Sequence, residues 1–285
     1  MATARPREGS AFAPFPSIFV FFWYFRMQDY FVGIDIGSTS AKTVILDTAG
    51  QVVSQFLQPT GYSSVNTADD IKDRLEAESI SLAQSWVTAT GYGRGAVPYA
   101  NKSVTEITCH AKGVLALYHL SDTLIIDIGG QDTKIIRLEN GLVSDFMMND
   151  KCSAGTGRFL EIMANTLAVT PADLCRLAAH GGGVSISSMC TVFAESEVIS
   201  LIGRGEKREN IAFAVVDSII KKVAVQAGRL YRNNEAVCLS GGLCQVPYIS
   251  QRLAEVLHCQ VLSKPEGIYA GALGAAWHGF KEQRP

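Results

Sequence analysis

The chain has 285 residues, of which 47% are hydrophobic and 18% charged, and its net charge is −2. That length suits one large domain or two smaller ones with a substantial core, and the near-neutral balance leaves no electrostatic footprint for nucleic acid. Beyond the N-terminus no run approaches the roughly 18 apolar residues of a membrane span, so the body is expected to be soluble.

The N-terminus is the exception, with the aromatic run Ile18-Phe19-Val20-Phe21-Phe22-Trp23-Tyr24-Phe25. Arg5 and Arg7 would serve the basic start of a signal peptide, but no small-residue cleavage site follows Phe25. Residues 1–26 therefore read as an upstream extension with Met27 as the natural beginning; a membrane-surface anchor is the alternative. The seven cysteines are odd in number and none stand in C-x-x-C spacing. They point to a reducing cytoplasm, and away from a disulfide framework or a self-contained zinc or ferredoxin-type site.

In chain order, three strands are predicted over 30–57, with turns at 37–41 and at Thr48-Ala49-Gly50. A helix follows over 68–78, then a strand over 86–90 ending in Gly91-Tyr92-Gly93-Arg94, whose glycines free the backbone for a tight turn. A helix over 104–118 carries Glu106 and His110 four apart, His110 reading as a packing residue. A second unit opens at Thr123 with an apolar strand to Ile128, and its hairpin strands, turning at Asn140-Gly141, run to about 148. After a small-residue loop over 149–157, helices are expected over 158–167, 171–179, 191–202 and 211–231. Pro171 opens the second of these and Gly181-Gly182-Gly183 ends it. A strand over 236–242, a helix over 247–257, a strand over 261–265 and a small-residue helix over 270–280 complete an α/β chain. Two lobes are expected, 27–120 and 121–285, with the C-terminal helix packing back on the first.

One pattern occurs twice. Val32-Gly33-Ile34-Asp35-Ile36-Gly37-Ser38-Thr39 returns ninety-two residues later as Ile125-Ile126-Asp127-Ile128-Gly129-Gly130-Gln131-Asp132, and a lysine, Lys42 or Lys134, stands seven positions after each Asp. A glycine turn after a strand offers backbone N–H groups to phosphate, and an acid at the strand end suits a hydrated Mg²⁺ bridging phosphate oxygens. A third turn, Ser240-Gly241-Gly242, could lie against an adenosine, with Gly271 and Gly274 allowing close packing nearby. No P-loop and no G-x-G-x-x-G after a strand is present. The arrangement resembles the actin, Hsp70 and sugar-kinase ATPase superfamily. That resemblance implies an actin-like ATPase (ribonuclease H-like) fold, with two lobes of duplicated βββαβα core and an ATP/ADP cleft between them.

Cys152 precedes Ser153-Ala154-Gly155-Thr156-Gly157 and a helix, and Cys190 directly precedes another. Both thiols would sit at or near helix N-termini, where the dipole favours thiolates; two buried structural cysteines are the alternative. The runs 149–161 and 188–197, with Gly91 to Arg94, 105–111 and 127–134, closely resemble the BadF/BadG/BcrA/BcrD ATPase family. Within it, the chain looks most like the short, single-unit, 2-hydroxyacyl-CoA dehydratase activator-like members such as the YjiL-type proteins.

The resemblance implies a homodimer sharing one 4Fe-4S cluster, ligated by Cys152 and Cys190 of each subunit. ATP hydrolysis would drive a low-potential electron into a partner dehydratase or reductase, with an upstream ferredoxin- or flavodoxin-type reductant. Asp35 and Asp127 are assigned to Mg²⁺ and water, and Gly37, Ser38, Thr39, Gly129, Gly130 and Gln131 to phosphates. Gly155 and Gly271 join the candidate nucleotide residues, and Asp132 either orients the attacking water or caps its turn. Lys42 is a phosphate ligand or an exposed strand residue. Glu195 couples nucleotide to cluster or lies on a solvated face. A small-molecule kinase, which would need a general base but not the two cysteines, is one rival; a nucleotide or redox sensor is another.

Overall fold

The computed structural model describes Met1 and residues 29–187, 190–232 and 235–284. Apart from Met1, the N-terminal extension and Met27 lie outside the described residues. Two five-stranded sheets carry the fold. In the first, β1 (Tyr30–Ile36), β2 (Ser40–Leu46), β3 (Val52–Pro59), β4 (Ser85–Thr90) and β5 (Lys102–Ser103) lie in the order β3-β2-β1-β4-β5. In the second, β6 (Thr123–Ile128), β7 (Thr133–Glu139), β8 (Leu142–Asn149), β9 (Val237–Gly241) and β10 (Val261–Ser263) lie in the order β10-β9-β6-β7-β8. Outward from β1 and from β6 the two orders are the same. Each central strand has an antiparallel hairpin on one side and a parallel strand on the other.

Register accounts for the spacing of the repeat. Asp35 pairs across the hairpin with Lys42, and Asp127 with Lys134. The offset of seven is therefore a strand end, a tight turn and the facing position on the next strand.

Helices cover both faces of each sheet, which is why β1 and β6 are buried along almost their whole length. α1 (Ser64–Ala77) packs Ala68, Ile71 and Leu75 against Val32, Ile34 and Ile36, a spacing that places them on one helix face. It starts four residues before the apolar periodicity does, because Ser63 caps it by accepting from the Asn66 N–H. On the other face, α8 (Ala270–Gln283) lays Ala272, Leu273 and Ala276 against Phe31, Val44 and Leu46. α2 (Glu106–Tyr118) runs beside it and packs Ala111 and Val114 against Ile125 and Ile136 of the second sheet.

The far face of the second sheet shares one core with α3 (Gly157–Thr166), α4 (Pro171–Ala178), α6 (Arg208–Ala227) and α7 (Pro247–Leu257). α5 (Thr191–Gly203) adds Ala194 and Val198 to that core and leaves Val192, Phe193 and Ile199 exposed. No described helix is long and apolar enough to cross a membrane.

The seam between α2 and α8 is made of glycine. A Cβ on Gly274 would come 1.7 Å from the Cys109 carbonyl oxygen, and one on Gly113 would come 1.9 Å from that of Ala270. Any side chain at either position forces the two backbones apart. Gly274→Ala is expected to cost about 1–3 kcal/mol. Gly182→Ala, whose new methyl meets nothing within 4 Å among the described residues, should stay within about 0.5 kcal/mol of the unsubstituted protein; urea unfolding of the pair checks both.

Candidate functional site

The two hairpin turns of the repeat meet. Each closes with the same bond: the Gly37 N–H donates to the Ser40 carbonyl at 3.2 Å, and the Gly129 N–H to the Asp132 carbonyl at 2.9 Å. A Cβ on Gly130 would lie 2.1 Å from Thr39 Oγ1, so the loops are in contact. Beside them opens a cleft of about 630 Å³. Its walls bring together Asp35, Gly37, Ser38, Thr39 and Lys42 from the first half, and Asp127, Gly129, Gly130, Gln131 and Asp132 from the second. Gly241 and Gly242, at and just after the end of β9, complete the wall.

Ser240, Gly271 and Gly155 are not among the lining residues. Ser240 is the register partner of Asp127 and donates its hydroxyl to Asp127 Oδ1 at 3.0 Å. Gly271 opens α8, where a Cβ would come 2.5 Å from Asp35 Oδ2, so its bareness makes room for the carboxylate. Gly155 has a φ of +99° and accepts the Thr133 hydroxyl at 2.8 Å. Its freedom shapes the cysteine-bearing loop rather than the cleft.

The repeated acids have unequal surroundings. Asp127 Oδ1 takes the Ser240 hydroxyl and lies 3.5 Å from His110 Nδ1, while Oδ2 lies 3.4 Å from Lys134 Nζ. Burial alone would push this carboxyl up, but the facing His110, the Lys134 ammonium and the Ser240 hydroxyl outweigh it and hold it at about 2. Lys134 also reaches Glu106 at 3.0 Å and Asp132 at 2.6 Å. Its own burial would lower it, yet the Asp127, Glu106 and Asp132 carboxylates hold it above the ordinary lysine range.

Asp35 is 6% exposed, and among the described residues no hydrogen bond or ion pair reaches its carboxylate. Lys42, opposite it, turns its ammonium to the Ser40 carbonyl at 3.3 Å and over Gly37. A buried, unpartnered carboxylate beside a glycine turn has the donor chemistry a hydrated divalent cation needs.

The depressed Asp127 carboxyl carries a pH signature. Its contribution to stability is complete above the ordinary value of 3.8 and is lost as pH falls through about 2. Asp127→Asn should lack that component, about 2 kcal/mol over this window, seen by comparing the unfolding of the two proteins from about pH 5 downward.

The turn after β4 is a member of the site that sequence reading did not pair. Thr90 is the register partner of Asp35 on a parallel strand, as Ser240 is of Asp127. Gly91 and Gly241 both take left-handed φ, +87° and +81°. Each brings backbone against its aspartate: a Cβ would come 2.4 Å from Asp35 Oδ1 at Gly91 and 2.8 Å from Asp127 Oδ1 at Gly241. The shared signal was a hydroxyl residue and a glycine closing an apolar strand. Glu106 and His110 also line the cleft, because the first turns of α2 face it; His110, read as packing, has a buried Nδ1 with no hydrogen bond among the described residues.

Cys190 is the N-cap of α5 and is exposed. Cys152 is not at a helix end: it lies in the loop four residues before Thr156, the N-cap of α3, and receives the Lys222 ammonium on Sγ at 3.3 Å. The two cysteine segments meet where Ser153 Oγ and Thr191 Oγ1 stand 2.8 Å apart. Glu195 accepts the Thr166 hydroxyl at 3.1 Å, tying α5 to α3.

Cys109, Cys175, Cys238 and Cys244 are buried, and burial pushes their thiols up to about 12, 11, 11 and 12. Such neutral thiols pack as small apolar groups. Cys152, half-buried, and Cys190, exposed, stand on segments that meet at Ser153 and Thr191, apart from the half-buried Cys259. Two such thiols are half of a four-thiolate set, a donor complement that fits a cluster shared by two copies.

The cysteine loop is bonded directly to the second hairpin turn. The Gly157 N–H donates to the Gly129 carbonyl at 2.9 Å, and the Arg158 N–H to that of Gly130 at 2.7 Å.

Residues 32–279 match the profile of the BadF/BadG/BcrA/BcrD ATPase family. The (R)-2-hydroxyglutaryl-CoA dehydratase activating ATPase of Acidaminococcus fermentans is 40% identical over 259 residues, covering 90% of this chain and 99% of that protein. The activator of the 2-hydroxyisocaproyl-CoA dehydratase from Clostridium difficile, solved with bound ADPNP, superposes with a TM-score of 0.82 at 36% identity, covering 90% of this chain and 96% of that one. A ROK family glucokinase from Streptomyces griseus, 16% identical, shares the fold with a TM-score of 0.55, over 87% of this chain and 98% of that one.

Proposed function

The chain belongs to the BadF/BadG/BcrA/BcrD ATPase family, and from that membership we propose that it is an ATP-dependent electron-transfer activator of a partner dehydratase or reductase. Two copies share one 4Fe-4S cluster on Cys152 and Cys190 of each. The cluster supplies one-electron storage at low potential, refilled by a ferredoxin- or flavodoxin-type reductant. The residues of the cleft do the rest. The turns at 37–39 and 129–131 hold the ATP phosphates on backbone N–H groups, and Lys42 adds a cation over the first turn.

Asp35 holds the hydrated Mg²⁺, while Asp127, already countered by Lys134, orders the water around it. Gln131 and Asp132 orient the attacking water, and Lys134 holds Asp132 in place. The observation that carries the reading is the pair of bonds from Gly157 and Arg158 to the second phosphate turn. Movement of that turn on binding or hydrolysis reaches Cys152 along the short segment 152–157, and reaches α5 through Ser153 and Thr191.

The test is anaerobic isolation with iron and sulfide reconstitution. A brown dimer with about four irons, which reduces a partner dehydratase only when ATP is hydrolysed, is the expected result. A colourless monomeric ATPase with intact cysteines would overturn the reading and favour a kinase; a brown dimer that hydrolyses ATP without passing on an electron would favour a sensor.

A further inference from the structure

Resting on the reading that Cys152 is a cluster ligand, we infer that Lys222 is the electrostatic partner of that ligand, and that nucleotide controls the contact between them. Lys222 lies on α6, a helix anchored in the core by Ile219, Ile220 and Val223, each at most 1% exposed. Its ammonium is 3.3 Å from Cys152 Sγ. Its stem is held there: a Cβ on Gly155 would come 3.3 Å from Lys222 Cδ and 3.6 Å from Cγ, so the chain lies along bare loop backbone. The left-handed φ of Gly155, +99°, shapes the loop that makes this contact.

The two partners are attached to different elements of the core around the second sheet. Lys222 moves with α6. Cys152 moves with a loop whose Gly155 carbonyl takes the Thr133 hydroxyl and whose following residues, Gly157 and Arg158, donate to Gly129 and Gly130. Gly129 to Thr133 is the second phosphate turn and the start of β7. A shift of that turn relative to α6 therefore changes the Nζ–Sγ distance directly.

Such a change has an electrochemical consequence. Reduction adds one negative charge at the thiolate-ligated centre, and a nearby ammonium stabilises the reduced form more than the oxidised one. With Lys222 in contact the centre accepts its electron readily; with Lys222 withdrawn it becomes a stronger donor. The electron comes from the upstream reductant and leaves to the partner enzyme, and Lys222 itself exchanges neither electron nor proton. Lys151, next to Cys152 in sequence, has a side chain 90% exposed and faces Asp150 at 3.9 Å, where solvent screens it.

The experiment is a spectroelectrochemical midpoint titration of the intact anaerobic dimer, with ADP and with a non-hydrolysable ATP analogue. The variants are Lys222→Met, which keeps the stem against Gly155 and removes only the charge, Lys222→Gln as a second neutral variant, and Lys222→Arg. Iron content and ATP hydrolysis are read on the same samples. With ADP the neutral variants should be harder to reduce by about tenfold in the equilibrium, a shift of 59 mV for one electron. The difference between the two nucleotide states should shrink, and Lys222→Arg should stay near the unsubstituted protein. An iron-loaded neutral variant whose midpoint matches the unsubstituted protein in both states overturns the inference. Unsubstituted protein that binds no iron overturns the underlying reading of Cys152 instead.

Discussion

Asp35→Asn is expected to slow ATP hydrolysis by on the order of 10³-fold while nucleotide affinity changes only a few-fold. Its carboxylate is buried, unpartnered and open to the cleft, so the substitution removes a full negative charge where a divalent cation would sit. Preorganised charge at the reacting phosphate is worth this order of rate when a single group is lost. The asparagine is isosteric and can still sit between the glycine backbones at Gly91 and Gly271, where any larger group would collide. The backbone N–H groups of the two glycine turns, proposed to hold the phosphates, are untouched. Single-turnover hydrolysis at saturating Mg²⁺, with a separate binding isotherm for an ATP analogue, distinguishes the two quantities. Hydrolysis within threefold of the unsubstituted protein would remove Asp35 from the reaction.

Cys152→Ala and Cys190→Ala should each abolish bound iron after anaerobic reconstitution while leaving ATP hydrolysis within a few-fold. Either substitution would take one thiolate from each copy and leave the proposed four-thiolate site with two ligands. Neither thiol lines the nucleotide cleft, so the hydrolytic machinery keeps its geometry. Cys175→Ala is the control: its thiol is buried in the core of the second lobe, so it should lower stability and keep the iron. Iron analysis and the visible absorbance of the three proteins decide the matter. Iron at the unsubstituted level in either of the first two variants would break the assignment.

What the sequence made legible was the local chemistry of repetition. The doubled Asp-Ile-Gly pattern and the lysine seven positions on are visible because a hairpin writes its register into spacing, as Asp35 with Lys42 and Asp127 with Lys134. Helix starts followed where a proline marked them, as at Pro171 and Pro247, and not where a side-chain cap did, as at Ser63. The partnership of Gly91 with Gly241 was not legible. Parallel strands are joined by long crossovers, so residues adjacent across β1 and β4 stand far apart in the chain and carry no spacing rule.

The inequality of the two acids was hidden for a related reason. Identical tripeptides surround Asp35 and Asp127, but Lys134 turns to its acid where Lys42 turns away. The distant Ser240 and His110 complete the set that makes one acid saturated and leaves the other open. Cys152 was placed near a helix start by sequence order alone. The cation that meets it, Lys222, arrives from seventy residues downstream on a helix for which the sequence indicated only its extent.

The glycine seam between α2 and α8 has a mechanical meaning. Helices that interlock through large side chains resist sliding, because each knob must climb out of its hole. At Gly113 and Gly274 the two backbones touch with nothing between them to climb. Such a bearing resists separation, since the buried area would be lost, yet gives way to shear along its length. The two sheets are joined through this bearing, α8 lying on the first and α2 against the second. A single methyl at Gly274 would act there as a brake.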